Sequence, residues 1–302
     1  SFQTIDLKKN TKINEIQFDI DTQNEPPALL IESKEITTSL KNWEWKAIDN
    51  QWERAYHYPQ NLEKVPPHKL EDPIVVLKPE SAKNNLYDFG KELFGFISIR
   101  SKEKPVINVG ESQTEALDVS NKAIEQSLEL VNISEGLWKT KVPLAFRYLY
   151  VKNSKIEDIT CDAIFYPSSY KGAFACSDRT LTQIWMNSAY TLRLCMHDFL
   201  LDGIKRDRLP WTGDLAMSLL VNAYTFSEPE LVRRSLVALG REGIKEKDIN
   251  GIIDYSVWWI IAQDQYQLYF DDSLHLKHEW GRIKEALNDL SSRCDSDGFL
   301  IQ

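Results

Sequence analysis

The hydrophobic pattern of this sequence changes its period near Gly172, and this change restricts the fold more than any other feature. Before it, four short apolar runs rich in β-branched and aromatic residues are separated by spacers of Pro, Gly, Asn and Ser. These runs cover residues 74–77, 94–100, 106–110 and 146–151. Runs of this kind predict short antiparallel strands that pack as a β-sandwich. We therefore assign residues 1–170 to a β-sandwich region, whose first segment can be irregular.

After Gly172 the apolar residues recur at the spacing of an α-helix. Leu181, Ile184 and Leu192 fall on one helix face. Ser177 stands where the N-cap of this helix is expected. Four further helices are predicted, at residues 215–224, 227–239, 255–269 and 274–292. Their broad apolar faces require partners on both sides, so residues 171–302 are predicted to form helical hairpins.

Composition excludes several classes of partner. The formal net charge is −9, whereas nucleic acid and anionic membranes are bound by basic faces. No apolar run approaches the roughly 18 residues of a membrane span, so membrane insertion is not predicted. No signal peptide is visible, so we expect a periplasmic or secreted location only if one has been removed, and a cytoplasmic location otherwise. The sequence gives no indication of the oligomeric state.

No metal site is predicted. The four cysteines lack the CxxC spacing of zinc ligands and are interpreted as buried thiols, with a disulfide as the alternative. His275 and His278 have a spacing that can bind metal, but surface helices often carry such pairs. Residues 295–298 alternate oxygen ligands with a glycine, but the full calcium-loop pattern is absent and a turn is the better interpretation.

One loop concentrates the polar chemistry of the chain. Residues 202–214 hold three carboxylates, three cations and a tryptophan between two predicted helices. Lys205, Arg206 and Arg208 are expected to offset the repulsion between the carboxylates. Such a mixture can separate the pKa values of neighbouring acids, as hydrolysis of a glycosidic bond requires. The alternative is a solvated charged loop whose Asp214 caps the next helix.

The same loop resembles the acidic signature of the bacterial α-L-rhamnosidases, glycoside hydrolase family 78. The matching residues are Asp202, Arg206, Asp207, Arg208, Trp211, Thr212, Gly213 and Asp214. Residues 87–97, 110–118 and 146–149 are similar to segments of the family's sandwich domain. The resemblance implies β-sandwich domains before an (α/α)6 barrel of six helical hairpins, of which this chain would hold the N-terminal part.

The resemblance also implies a reaction, the hydrolysis of terminal non-reducing α-L-rhamnose with inversion and without a cofactor. Asp207 then corresponds to the general acid. Asp202 and Asp214 are expected to bind sugar hydroxyls, and Arg206 and Trp211 to line the pocket. The family's general acid is commonly Glu, so Asp207 is one methylene shorter than the expected residue.

The rest of the predicted site comes from later in the chain. Trp258 is expected to wall the sugar pocket, with core packing as the alternative, and Asp254 is either a ligand or an N-cap. The family's general base is expected beyond residue 302, in which case this chain is truncated. Two other functions are kept: another (α/α)6-barrel glycoside hydrolase, and a non-catalytic carbohydrate-binding protein. All three functions imply a carbohydrate partner, and for the rhamnosidase it is a rhamnose-containing glycan.

Overall fold

The computed structural model of the 302-residue chain describes most residues after 73 and two short backbone stretches before them. The described residues are 44–46, 52–54, 74–118, 120, 126–152, 155–241 and 247–300. Apart from the two stretches, the predicted β region before residue 74 lies outside the described residues.

Strands form the first part of the described chain, and all their pairings are antiparallel. They are β1 (Glu44–Lys46), β2 (Trp52–Arg54), β3 (Ile74–Leu77), β4 (Ser81–Lys83), β5 (Leu86–Arg100), β6 (Val106–Gly110), β7 (Leu130–Ser134), β8 (Leu137–Thr140), β9 (Leu144–Lys152) and β10 (Asp158–Ile164). The predicted runs at 74–77 and 106–110 coincide with β3 and β6, and the other two lie inside β5 and β9.

The long strand β5 is the centre of an eight-stranded sheet made of β3 to β10. It pairs with β4 and β9 near its start, and with β10 and β8 near its end. Its register with β9 shifts between Asp88 and Leu93. At this irregularity Arg147 donates to both carboxylate oxygens of Asp88, at 2.9 and 3.1 Å, which lowers the pKa of Asp88.

Helices form the second part of the described chain. They are α1 (Gln113–Leu117), α2 (Arg179–Cys195), α3 (Thr212–Thr225), α4 (Pro229–Gly240), α5 (Ile253–Phe270) and α6 (Ser273–Ser292). The five predicted helices correspond to α2 through α6. The short helix α1, which lies between β6 and β7, was not predicted.

The predicted N-caps of α2 and α3 differ from those in the structure. The N-cap of α2 is Asp178, whose Oδ1 accepts a hydrogen bond from the Thr180 N–H at 2.8 Å, and Ser177 precedes it. Helix α3 begins at Thr212, so Asp214 lies inside its first turn. The interpretation of Asp214 as the N-cap is therefore wrong, although an acid in the first turn still stabilises a helix through its dipole.

Two apolar clusters form the cores of the described chain. The first lies on the sheet and also takes in Leu194 and Cys195 from the end of α2 and Ile204 from the following loop. The second joins α2 to α6. Its largest fully buried side chain is Trp259, which is 1% exposed and donates its Nε1–H to the Leu236 carbonyl at 2.9 Å.

The described residues hold no feature that points to metal or membrane. The four cysteines are free, with Cys161 and Cys195 buried and Cys176 and Cys294 exposed. Over the described ranges, no group of three or more His, Cys, Asp and Glu side chains is placed to hold a metal ion. None of the helices in those ranges is long and apolar enough to cross a bilayer.

Gly95 is required by the close approach of β10 to β5. A Cβ atom at this position would lie 2.3 Å from the Asp162 carbonyl oxygen and 2.8 Å from the Cα of Ala163. Gly95→Ala must therefore push two paired strands apart. We expect the free energy of unfolding, measured by urea denaturation, to fall by about 1–3 kcal/mol.

Gly281→Ala is the matched control for this change. A Cβ atom there meets nothing within 4 Å, and the residue lies inside α6. Because alanine favours the helix over glycine by roughly 0.8–1 kcal/mol, this variant should be more stable than the parent. Equal effects of the two substitutions would contradict the steric account of Gly95.

Candidate active site

The loop between α2 and α3 closes on itself through Asp202. The Asp202 N–H donates to the Leu209 carbonyl at 3.0 Å, and its Oδ1 accepts from the Leu209 N–H at 3.0 Å. These two bonds bring together the ends of residues 203–208, so the loop folds back as its glycines and proline predict. Asp202 thus stabilises the loop in addition to any role toward a ligand.

Asp207 lies on the exposed side of this closed loop. Asp207 and Arg208 both have a φ of +56°, which residues other than glycine seldom adopt. The Arg208 N–H donates to the Arg206 carbonyl at 2.7 Å across the turn. Within the described part of the chain the Asp207 carboxylate makes no hydrogen bond or ion pair, so it is available to a ligand.

Two cations of the loop are directed to the strand region rather than to the loop's own carboxylates. Lys205 Nζ lies 2.6 Å from Glu115 Oε1. Arg208 Nη2 donates to Gln126 Oε1 at 3.2 Å, and its guanidinium carbon lies 4.8 Å from the centroid of the Phe94 ring. The expectation that the cations offset the loop's own carboxylates is therefore wrong for Lys205 and Arg208, because nearer partners lie on the sheet side.

Asp202 and Asp214 lie close enough for their charges to interact. Burial raises the pKa of Asp214, and the Asp202 carboxylate raises it further. Burial also raises the pKa of the nearby Cys195 thiol to about 11, with both carboxylates adding to the effect. The loop therefore brings together the two predicted sugar-binding carboxylates in a partly buried place, which raises the pKa of Asp214 above its usual value.

Trp211 lies at the start of α3 against Tyr255 of α5. The two rings meet edge to face, with centroids 5.9 Å apart and an interplanar angle of 82°. Gly213 permits this packing, since a Cβ atom there would lie 2.9 Å from Cε1 of Tyr255. The Trp211 Nε1 atom is buried without a hydrogen-bond partner among the described residues. An unpaired buried donor costs about 1–3 kcal/mol, so an accepting ligand group beside it is favoured.

Asn250 joins the start of α3 to the segment before α5. Its Oδ1 accepts from the backbone N–H and the hydroxyl of Thr212, at 3.1 and 3.0 Å. Its Nδ2 donates to the Pro210 carbonyl at 3.2 Å. Because Trp211 at the N-cap position makes no side-chain capping bond, Asn250 supplies the cap from another part of the chain.

Trp258 and Trp259 lie in different environments on α5. Trp259 is buried in the helical core, whereas Trp258 is 41% exposed. Only one of the pair faces inward, as predicted, and the exposed one is the predicted pocket residue. Trp258 follows Tyr255 by one helical turn, which places both on one face of α5. Asp254 lies in the first turn of this helix and is not its N-cap.

The weaker metal candidates have structural roles. His275 is buried on α6, and its Nε2 lies 2.8 Å from Gln263 Oε1. Asp295 Oδ1 accepts from the N–H groups of Asp297 and Phe299, both at 2.9 Å. This is the turn that residues 295–298 were predicted to form.

Four residues beside the loop were missed by sequence reasoning. Asn250 precedes a glycine, and this turn signal could have identified it. Tyr255 opens a predicted helix but carries no local sign of its contact with Trp211. Glu115 and Gln126 are 90 and 82 positions from their partners in the loop, so no local pattern could have revealed them.

A partly buried carboxyl lies beside the same loop. Burial raises the pKa of Glu92 to about 8; the Glu111 and Glu115 carboxylates contribute to the rise, and Lys205 opposes it. The Glu92 Oε1 atom is buried without a hydrogen-bond partner among the described residues. Glu92 is therefore mostly neutral at pH 7.

Residues 169–299 match the family model described as the bacterial alpha-L-rhamnosidase 6 hairpin glycosidase domain. The match covers α2 to α6 and the whole loop of residues 202–214. This part of the chain belongs to the bacterial α-L-rhamnosidase family. The six predicted site residues all lie within this rhamnosidase-family region. Among curated protein sequences, none matches the chain.

Solved rhamnosidase structures share the fold of the chain. A rhamnosidase from Klebsiella oxytoca with rhamnose bound is 20% identical, with a TM-score of 0.60 over 76% of this chain and 58% of that one. A GH78 rhamnosidase of Bacillus sp. GL1 is 22% identical, with a TM-score of 0.56 over 83% and 28%. The α-L-rhamnosidase of Streptomyces avermitilis complexed with L-rhamnose is 18% identical, with a TM-score of 0.58 over 74% and 25%. The chain thus spans 58%, 28% and 25% of these proteins.

Glu92→Gln tests the neutral state of this carboxyl. The pKa of Glu92 is raised from 4.5 to about 8 on folding. Between these values the unfolded state binds fewer protons, so the stability of the parent falls as the pH rises through this window. The variant cannot ionise. Relative to the parent, its free energy of unfolding should therefore rise by on the order of 2–4 kcal/mol between about pH 5 and pH 9.

Glu157→Gln provides the control, because Glu157 is exposed in the turn before β10. The free energy of unfolding of this variant should stay within about 0.5 kcal/mol of the parent's at about pH 5 and at about pH 9. If the stability difference between Glu92→Gln and the parent were the same at both, Glu92 would be ionised in the folded protein and its assignment as a neutral group would fail.

Proposed function

We propose that this chain carries the general-acid half of an inverting α-L-rhamnosidase site. In this proposal the strands belong to a β-sandwich region, and the helices form the N-terminal part of an (α/α)6 barrel. The observation that supports the function best is the Asp207 carboxylate, which is exposed and has no partner among the described residues, on a closed loop of the rhamnosidase-family region. The substrate is a terminal non-reducing α-L-rhamnose of a glycan or glycoside.

The proposed reaction begins with Asp207 in its protonated form. Its O–H donates to the glycosidic oxygen as the bond between that oxygen and the anomeric carbon breaks. A water molecule attacks the anomeric carbon from the opposite face and loses its proton to a general base. Inversion requires about 6.5–9.5 Å between acid and base, so the base belongs to a segment that faces the loop. None of the described residues is assigned to it, and no cofactor is required.

The sugar is proposed to lie between the loop and α5. Ionised carboxylates bind adjacent hydroxyls through two acceptor oxygens, which suits Asp202 and Asp214. The buried Nε1–H of Trp211 can donate to a third oxygen. Arg206 lines the same pocket, and the exposed Trp258 offers a flat ring to the pyranose face. This assignment gives each predicted site residue a chemical role.

A panel of 4-nitrophenyl glycosides incubated with the full-length protein, which includes the general base, tests the substrate. Release of nitrophenol from the α-L-rhamnoside alone, with the β-anomer of rhamnose as the first product by NMR, is the expected result. Release from another glycoside identifies a different hydrolase of the same fold. Rhamnose binding by calorimetry without release identifies a carbohydrate-binding protein and rejects the catalytic proposal.

Asp207→Asn tests the general acid through the leaving group. An amide cannot supply the proton, so kcat/KM for an alkyl α-L-rhamnoside should fall by about 10²–10⁴. A dinitrophenyl rhamnoside needs little protonation and should lose less than about tenfold in the same assay. Rhamnose binding should remain close to that of the parent.

Asp202→Asn is the matched variant. Its amide oxygen can still accept from the Leu209 N–H, so the loop stays closed while the charge is lost. Sugar binding should weaken, and both substrates should slow alike. If instead Asp207→Asn slowed neither substrate and Asp202→Asn removed the leaving-group dependence, the two roles would have to be exchanged. If neither mattered, the loop would be a solvated charged segment.

A further inference from the structure

A shielded ion pair connects the loop of residues 202–214 to the strand region. Lys205 Nζ lies 2.6 Å from Glu115 Oε1 and 3.5 Å from Glu111 Oε2. The Lys205 side chain is only 22% exposed and that of Glu115 only 13%. By contrast, Lys78 and Asp158 pair at 2.9 Å with side chains that are 67% and 49% exposed. Solvent therefore screens the Lys205–Glu115 pair much less than the surface pair.

Glu115 is itself held in a fixed position. Its second oxygen, Oε2, accepts from the Glu111 N–H at 3.0 Å, and its own N–H donates to Ser112 Oγ at 3.2 Å. The end of α1 is held by Asn108 of β6, whose Nδ2 donates to the carbonyls of Ala116 and Asp118 at 3.0 and 2.9 Å. The carboxylate that binds Lys205 is thus linked to the sheet through hydrogen bonds at every step.

A second connection lies on the other side of Asp207. Arg208 donates from Nε to the Ile204 carbonyl at 2.8 Å and from Nη2 to Gln126 Oε1 at 3.2 Å. Gln126 in turn pairs with the backbone of Ala145 in β9, accepting at 2.8 Å and donating at 3.0 Å. The apolar side chain of Ile204 lies in the core of the sheet.

The contacts of Lys205 and Arg208 lie on either side of a backbone turn whose conformation needs support from outside the loop. Asp207 and Arg208 are consecutive residues with φ of +56°, and a single such non-glycine residue is already uncommon. Lys205 and Arg208 are held to the strand region two residues before and one residue after Asp207. The position of the Asp207 carboxylate therefore depends on contacts made by the sheet.

We propose that Lys205 and Glu115 are positioning residues, which hold the loop so that the Asp207 carboxylate meets the glycosidic oxygen. This inference rests on the proposed role of Asp207 as the general acid. It assigns a part in the reaction to α1 and the sheet, outside the rhamnosidase-family region. Lys205 acts through the loop and not on the sugar.

The test is a double-mutant cycle on the full-length protein, with Lys205→Met, Glu115→Gln and the two combined. Glutamine removes the charge but keeps an oxygen for the Glu111 N–H. Displacing a catalytic group by about 1 Å can cost about a hundredfold in rate. For an alkyl α-L-rhamnoside we expect kcat to fall by about tenfold or more in each single variant, with KM within about twofold. The double variant should be no slower than the worse single variant, because both changes break one link.

Two further variants separate positioning from general damage. Lys205→Arg keeps a cation that can reach Glu115 and should restore most of the kcat lost in Lys205→Met. Lys78→Met breaks the exposed pair with Asp158 and should leave both kcat and KM at the parental values. A dinitrophenyl rhamnoside, which needs little protonation, should be hydrolysed at close to the parental rate by all the variants.

Two results would overturn the inference. If Lys205 bound the sugar directly, Lys205→Met would raise KM, Glu115→Gln would not, and their effects would multiply in the double variant. If the parent hydrolysed no rhamnoside, the proposed function would fail. Hydrogen exchange would then test separately whether the Lys205–Glu115 ion pair holds the loop. The Leu209 amide bonds to Asp202 inside the loop. It should then exchange about tenfold faster in Lys205→Met than in Lys78→Met, and equal rates would disprove the link.

Discussion

The end of α2 and the loop that follows it bury three apolar side chains, Leu194, Cys195 and Ile204, in the core of the antiparallel sheet. Burial of one such aliphatic side chain contributes about 1.5–3 kcal/mol, more than the 0–1 kcal/mol typical of an exposed ion pair. This apolar contact therefore fixes where the loop lies on the strand region. The shorter-range polar contacts then determine how its carboxylates are oriented.

Those polar contacts hold the loop from two directions. On the helical side, Asn250 bonds to both Pro210 and Thr212 and thereby fixes the start of α3. On the strand side, Lys205 and Arg208 bind groups of α1 and of the segment before β7. Between these attachments Asp207 remains exposed, so its carboxylate can meet a ligand without first breaking an internal bond.

Much of the fold could be predicted because its signals are local. The apolar runs and the helical spacing are read within a dozen residues, and the structure places β3, β6 and α2 to α6 at the predicted segments. Helix α1 was missed, although Ser112 and Glu115 have the spacing of a capping box. Its apolar content is too small for a periodic pattern, so only the cap could have revealed it.

The candidate site was predictable in composition but not in its contacts. Glycine and proline indicated a loop that folds back, and the structure brings Asp202 and Asp214 together. The partners of Lys205 and Arg208 could not be inferred, since they lie 90 and 82 residues away and depend on how the sheet packs. Charge balance within the loop suggested nearer partners, which the structure does not show for these two cations. The catalytic and sugar-binding roles of the six site residues stay predictions.

The direction of these long-range contacts has a consequence for how the chain folds. Glu115 and Gln126 precede their partners Lys205 and Arg208 by 90 and 82 residues, so during synthesis they leave the ribosome first. Domains generally fold as units from the N-terminal end, at roughly 5–20 residues per second of synthesis. The sheet and α1 thus have several seconds in which to form before Lys205 emerges. The loop then meets a surface that is already ordered, and its unusual backbone can be selected from the start rather than reached by later rearrangement.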